Sequence, residues 1–296
     1  MKNPFRILCA VDASRPAAAA FEQALALSAR RGAQLVLVHA VSRDQPYSWG
    51  AIKRLSALAA LRERAEAQNV SVEVRVQHGD AASVILLHAR AHAPDLIVLG
   101  SHEPVGLSRF RFRSVADRVV KAATFPVLLV PAATTQVRPD FRKIVCAIDL
   151  SSRSPAVVAD AAPLAGDGGR SVLLHVLKDS VSRHYAGFAV PTFEGMARDA
   201  RQRLHSILKT QNLESDVFVT ISTKPIHEEI QRVARLMEAD LVVLGATRRT
   251  GLRRRLLGST PLRVSRRAPC PILISPAVNV KRSLSTLDQA ALGWAA

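Results

Sequence analysis

Arg6-Ile-Leu-Cys-Ala-Val-Asp-Ala-Ser14 returns later in the chain as Lys143-Ile-Val-Cys-Ala-Ile-Asp-Leu-Ser151. Each copy is a short apolar run that stops at an aspartate and a serine, the pattern of a buried strand running into a helix N-cap. Outward from it, three more segments repeat in the same order. Leu35-Val-Leu-Val-His39 matches Val172-Leu-Leu-His175, Asp95-Leu-Ile-Val-Leu-Gly100 matches Asp240-Leu-Val-Val-Leu-Gly245, and Pro126-Val-Leu-Leu-Val130 matches Pro271-Ile-Leu-Ile-Ser275. The offset grows from 137 at Asp12/Asp149 to 145 at Asp95/Asp240, so the second copy gains residues, placed within about Lys178–Gly195. A repeat this long is a whole domain, not a solenoid unit.

Within each copy strands alternate with helices. In the first, Arg6–Val11 reads as a strand, and Ser14 as the N-cap of a helix that keeps Phe21, Ala24, Leu25 and Ser28 on one face and ends at Gly32. Leu35–Val38 is a strand, and Leu55, Leu58, Ala59 and Leu61 mark a helix to about Asn69. Val72, Val74 and Val76 alternate as a strand. Ala81–His92 is a helix closed by Pro94, Leu96–Leu99 a strand, Ser114–Ala123 a helix and Val127–Val130 the last strand. The second copy follows the same plan, with Pro163 and Gly166 cutting its first helix short. Strands separated by helices imply an α/β fold with a parallel sheet, right-handed crossovers and helices on both faces. The expected domains are 1–137 and 138–277, joined through Ala132–Pro139, with residues 278–296 as a tail that either frays or docks on a neighbouring surface.

Composition sets limits. The chain has 296 residues, 48% of them hydrophobic, enough for two ordinary cores. No apolar run approaches the ~18–20 residues that span a bilayer, and the N-terminus runs straight into the first strand without a signal-type apolar region. Three cysteines are too few for a disulfide framework, and Cys9 and Cys146 fall inside apolar strands. A reduced, cytoplasmic protein is the expectation. The net charge of +17 is high, but only 4% of residues are aromatic and the basic residues are spread over both copies. Specific nucleic-acid binding is therefore not expected.

In a doubly wound sheet, ligands bind beyond the carboxyl ends of the strands where the strand order reverses. In the second copy those ends are Ile148-Asp149 and Leu244-Gly245. The loop that follows runs from Gly245 through Ala246, Thr247, Arg248, Arg249, Thr250 and Gly251 to Gly258-Ser259-Thr260-Pro261. Glycines let backbone N–H groups turn toward an anion. A helix starting at the loop's end would add orphan N–H donors, and Ser259 and Thr260 add hydroxyls. The pattern suits a phosphate.

Taken together, Val/Ile-Asp-x-Ser after strand one, His-Val after strand two and Gly-x2-Gly-x9-Gly-Ser/Thr after strand four resemble the universal stress protein family, here as two tandem domains covering about residues 4–277. The resemblance implies two doubly wound domains, each a five-stranded parallel sheet in the order 3-2-1-4-5. Members that keep the loop bind ATP, some with slow hydrolysis. Carried over, Asp149 would meet the adenine end, Val176 would meet the base through its backbone, and Gly245, Thr247, Gly258, Ser259 and Thr260 would hold ribose and phosphates. Arg248 stands at the loop's second glycine. If that position needs φ > 0, a non-glycine residue costs on the order of 1–2 kcal/mol, unless its guanidinium pairs with a phosphate.

The first copy departs further: Glu103 replaces the second glycine and Arg113 the third. A carboxylate about 5 Å from a phosphate charge costs roughly 3 kcal/mol per charge pair at an effective ε near 20. The first copy is read as a structural or partner-binding half. His88 and His92 have an i, i+4 spacing that a metal could use, but a solvated helix face is the simpler reading. His39 and His175 read as satisfied sheet-edge histidines. No P-loop, nucleophile elbow or catalytic triad is found, so no catalytic residue and no metal ligand is assigned.

The expectation is a cytoplasmic stress-response protein that binds ATP, with Mg2+, through its C-terminal domain and acts as a nucleotide-responsive regulator on an unidentified protein partner, with homo-oligomerisation open. Two rivals are a slow ATPase and a non-nucleotide interaction or scaffold protein in which both sites are vestigial.

Overall fold

The computed structural model describes residues 4–42, 49–101, 114–179, 193–211, 215–246 and 259–278. They form two compact units, one from the chain up to Pro139 and one from Asp140 to Ser275. The first unit runs β1 (Arg6–Ala10), α1 (Arg15–Arg31), β2 (Gln34–Val41), α2 (Trp49–Glu66), β3 (Val72–His78), α3 (Ala81–His92), β4 (Leu96–Ser101), α4 (Val115–Ala122) and β5 (Val127–Pro131). Its strands lie in the order β3-β2-β1-β4-β5, every pair parallel. The second unit runs β6 (Phe141–Ala147), α5 (Ser154–Ala161), β7 (Ala165–Lys178), α6 (Phe193–Gln211), β8 (Asp216–Ser222), α7 (Ile226–Leu236), β9 (Leu241–Gly245), α8 (Ser259–Ser265) and β10 (Ile272–Ser275). Its strands lie in the equivalent order β8-β7-β6-β9-β10, again all parallel. Right-handed crossovers put α1 and α2 on one face of their sheet and α3 and α4 on the other, and α5 and α6 opposite α7 and α8.

Local chemistry explains the element ends. Ser14 caps α1 by accepting from the Ala17 N–H, and Gly32 closes it in the left-handed region at φ 57°, its N–H donating to the Ser28 carbonyl. Asp80 caps α3 through the Ser83 N–H, and Ala93 ends it just before Pro94. The central strands are buried on both faces, with Ile7, Leu8, Leu35, Leu37 and Ile97 all at 0% exposure.

Two elements depart from the sequence expectation. Helix α2 runs from Trp49 to Glu66, ending short of the expected Asn69. Its inward face carries Leu58 and Ala65, while Leu55 is 56% exposed. Ser48, a residue type that caps helices, directly precedes Trp49 in the sequence. Strand β7 begins at Ala165, well ahead of Val172, and pairs Ala165 with Phe141 across a register shift. Its Gly166-Asp-Gly-Gly169 start has no β-propensity of its own. Pairing to β6 imposes the strand. The early start of β7 uses none of the second copy's added length, because Asp149 to His175 is one residue shorter than Asp12 to His39. The linker residues Ala132–Pro139 close onto the first unit: Gln23 Nε2 donates to the Arg138 carbonyl at 2.6 Å and Arg31 Nη1 to the Pro139 carbonyl at 2.9 Å. The tail from residue 279 lies outside the described residues.

The aspartates that open β4 and β9 do the same work in both units. Asp95 accepts from the Arg6 N–H at 2.8 Å and returns its own N–H to the Arg6 carbonyl. Asp240, 6% exposed, accepts from the Arg142 and Lys143 N–H groups at 2.9 Å each and donates its N–H to the Lys143 carbonyl. Each carboxylate ties together the starts of the two strands between which the order reverses. Asp240→Ala leaves two backbone donors without their charged acceptor and should cost about 2–3 kcal/mol. A urea-unfolding comparison with the wild type checks this, and a cost below ~0.5 kcal/mol would show that water or a neighbour replaces the carboxylate.

Candidate functional site

Because β7 and β9 leave β6 on opposite sides, a crevice opens beyond the carboxyl end of β6. In the second unit it is a cavity of about 270 Å³, near the lower end of ligand-pocket sizes. Its walls are apolar: Ile148 and Leu174 below, Val157 from α5, Ile226 and Ile230 from α7, and Leu244 from β9. Polar groups stand at the rim: Asp149, Ser151, Arg153, His175 and Thr260.

The sequence-assigned residues fall as follows. Asp149, Val176, Gly245 and Thr260 all line this one cavity. Ser259 is the first residue of α8. Thr247, Arg248 and Gly258 lie outside the described residues, as do Glu103 and Arg113 of the first copy. Asp149 is exposed, and its Oδ1 accepts from the Ser151 N–H at 3.0 Å, closing the turn after β6. Asp12 does the same with Ser14 at 2.7 Å.

Val176 presents backbone. The Leu174 carbonyl accepts from the Ile148 N–H at 2.8 Å, so Leu174 faces the β6 edge. Successive residues of a strand alternate in direction, so Val176 faces the same edge. But β6 ends at Ala147, which leaves the Val176 N–H and carbonyl aimed past the strand end into the cavity. Between them, His175 hydrogen-bonds through Nδ1 to the Ile148 carbonyl at 2.7 Å. A carbonyl only accepts, so Nδ1 carries a proton and donates it to this bond. His39 makes the same bond to Val11 at 2.8 Å.

The two units differ at the turn into the first helix. In the first, the cap Ser14 comes two residues after Asp12; in the second, the cap position, Arg153, comes four after Asp149. The longer turn is held by Leu150 at φ 59°, whose carbonyl accepts from Arg203 Nη2 at 2.8 Å. The effect shows at the equivalent glycines. A Cβ on Gly100 would lie 2.3 Å from the backbone carbon and oxygen of Pro16. A Cβ on Gly245 would meet only a Val157 methyl, at 2.9 Å. In the first unit the helix start sits on the strand end; in the second it stands back, and the cavity occupies the room. Gly100 is thus required by the packing of Pro16 against it.

Sequence reasoning missed two residues here. Arg153 lines the cavity and donates from Nη1 to the Ala246 carbonyl at 2.8 Å. It reads in sequence as one more basic residue on a basic chain. Glu229, 5% exposed, fixes the α7 wall by accepting from Thr220 Oγ1 at 3.2 Å and Arg232 Nη2 at 2.7 Å. Arg232, followed by the hydroxyls, holds its carboxyl below the ordinary value of 4.5. Its spacing from Ile226 and Val233 puts it on the inward face of α7, but its charge argues against burial.

His88 and His92 do not form the expected solvated face: both are half-buried, their rings stacked at 5.8 Å, and burial lowers the pKa of His88. Among the described residues no group of three or more His, Cys, Asp or Glu could hold a metal ion, and no described helix is long and apolar enough to cross a membrane.

The sequence model of the universal stress protein family matches residues 5–131 and again 140–276. Universal stress protein YxiE of Bacillus subtilis is 28% identical over 145 residues, which span 42% of this chain and 97% of that protein. Universal stress protein MJ0531 of Methanocaldococcus jannaschii is 36% identical over 89 residues, 28% of this chain and 52% of that protein. Among solved structures, a universal stress protein from Archaeoglobus fulgidus superposes with TM-score 0.70 at 18% identity, covering 92% of this chain and 96% of its own. At that identity the likeness concerns the fold.

Two predictions follow from this geometry. Gly100→Ala forces backbone apart and should cost about 2–3 kcal/mol, whereas Gly245→Ala displaces only a methyl and should cost under ~1 kcal/mol; thermal melts of the two variants read the difference. Glu229 titrates below its unfolded value, so its contribution is complete above pH 4.5 and decays as pH falls through the depressed native value. Glu229→Gln should therefore be about 1 kcal/mol less stable than wild type at pH 7, with the gap closing in acid; a gap that is flat from pH 7 to pH 3 would exclude the charged form as its source.

Proposed function

The chain belongs to the universal stress protein family, a stress-response family, and from that premise we propose that its second unit binds ATP, with Mg2+, and acts as a nucleotide-responsive regulator. The observation that carries the proposal is the cavity at the strand-order reversal of the second unit, lined by Asp149, Val176, Gly245 and Thr260 together. Its chemistry suits a nucleoside. An apolar slot between Ile148, Val157 and Ile230 accepts a flat ring. The Val176 N–H and carbonyl offer one donor and one acceptor to an adenine edge, which itself presents an amino donor beside a ring-nitrogen acceptor.

In this reading the base lies toward β7 and the phosphates toward the end of β9, where the loop from Gly245 to Gly258 begins. Asp149 meets the adenosine part at the rim. Thr260 supports the phosphate end with its hydroxyl, and Thr247, Arg248, Gly258 and Ser259 complete it by the family pattern. Mg2+ would neutralise phosphate charge; the residues assigned here hold the nucleotide itself. No described residue is assigned as a base toward the terminal phosphate, so any hydrolysis is slow and regulatory. The first unit is proposed as the structural or partner-binding half, since Pro16 closes on Gly100 where the second unit has its cavity. The three cysteines are free and buried, with Cys146 and Cys270 pushed up to about 12 by burial, which fits a reducing compartment such as the cytoplasm.

A calorimetric titration of the whole protein with Mg-ATP, beside a Gly258→Arg variant, tests the proposal. One binding event per chain is expected, lost in the variant. Two events per chain would restore the first unit as a nucleotide site. No heat and no thermal shift would leave an interaction protein with vestigial sites.

A further inference from the structure

The turn after β6 carries an arginine where the first unit carries a capping serine. Ser14 Oγ accepts from the Ala17 N–H at 3.3 Å and so belongs to its helix. Arg153 occupies the N-cap position of α5 with φ −92° and ψ −10° and makes no side-chain cap bond. Its side chain crosses to the next element instead, donating to the carbonyl of Ala246, the residue after Gly245. That bond pins the guanidinium at the carboxyl end of β9, on the cavity side opposite Val176 and His175. The surrounding turn is built for this, with Leu150 in the left-handed region and its carbonyl held by Arg203. A left-handed non-glycine residue is kept only where the surroundings over-determine it.

We propose that Arg153 reads the phosphate of the bound ligand, so that the second-unit cavity selects adenosine that carries a phosphate over adenosine itself. This rests on the adenine-site reading above. With the base against Val176, the 5′ end of the nucleoside reaches the β9 side, where the guanidinium stands. A guanidinium offers five N–H donors in a planar fork, and a phosphate takes two of them side by side. The contact to Ala246 uses a neutral acceptor and fixes the fork before the ligand arrives, which limits the rotamer freedom lost on binding. Arg153 thus acts as a specificity-determining residue contributed by the turn into α5.

The test is calorimetric titration of the full chain with adenosine and with AMP, in wild type, Arg153→Gln and Arg153→Lys. In wild type, AMP should bind at least ~10-fold tighter than adenosine, the scale of a charge-assisted bond. Arg153→Gln should reduce that ratio about 10-fold while adenosine affinity moves less than about twofold. Arg153→Lys keeps the charge but loses the fork, and should lose about threefold of the ratio; it carries the test if the glutamine variant fails to fold. An unchanged AMP-to-adenosine ratio in both variants overturns the proposal. So does an equal weakening of both ligands, which would mean that Arg153 only shapes the cavity through Ala246. A wild type that binds adenosine and AMP equally removes this inference and leaves the adenine site standing. One that binds neither removes both.

Discussion

The parallel pairing of each unit's first strand with its fourth is the constraint on which the rest depends. β1 has β2 on one side and β4 on the other, and β6 likewise lies between β7 and β9. The crossovers leaving the central strand part there, which leaves a crevice beyond its carboxyl end. Asp95 and Asp240 hold this junction from the opposite end of the strands, by taking the N–H groups at the starts of β1 and β6. A slip of one residue along either pair would turn every central side chain to the other face and put polar groups into a core whose strand residues are almost wholly buried. The crevice is thus a by-product of strand order, and each unit must either fill it or use it.

The two units resolve that choice differently with nearly the same strands. The first brings α1 down until Pro16 backbone rests on Gly100; the second lengthens the turn by two residues, and only a valine methyl approaches Gly245. The change is small in sequence but decisive in space, because a helix moves as a rigid body and its first turn sets how near it stands to the strand end. The turn also removes a short capping side chain and installs Arg153, so that one local extension both opens a cavity and puts a cation at its rim.

Much of the site was readable because its parts are tied to strand ends. Asp149, Val176 and Gly245 close or follow strands whose apolar runs are unmistakable, so their meeting at one crevice follows from the order of strands alone. Arg153 and Glu229 were not readable. One lies in a turn that no periodicity marks, and the other stands on the inward stripe of its helix but carries a charge that argues against burial. It faces inward because Thr220 and Arg232 are there to bind it. The early start of β7 was hidden for a related reason: glycines have no strand preference, and only the partner strand β6 gives them one.

The amino-acid sequence by itself determined the duplication, the α/β class, the strand order through its family pattern and the aspartate-serine turns, because repeated apolar runs, caps and breakers act over a few residues and leave local marks. Tertiary structure alone decided how near the first helix of each unit stands to its strand end, which charged groups face into the second unit's cavity and where the weak strand starts lie. These depend on distances between segments far apart in the chain, such as Pro16 to Gly100 or Arg153 to Ala246, and no local preference encodes a distance that only the packed fold creates.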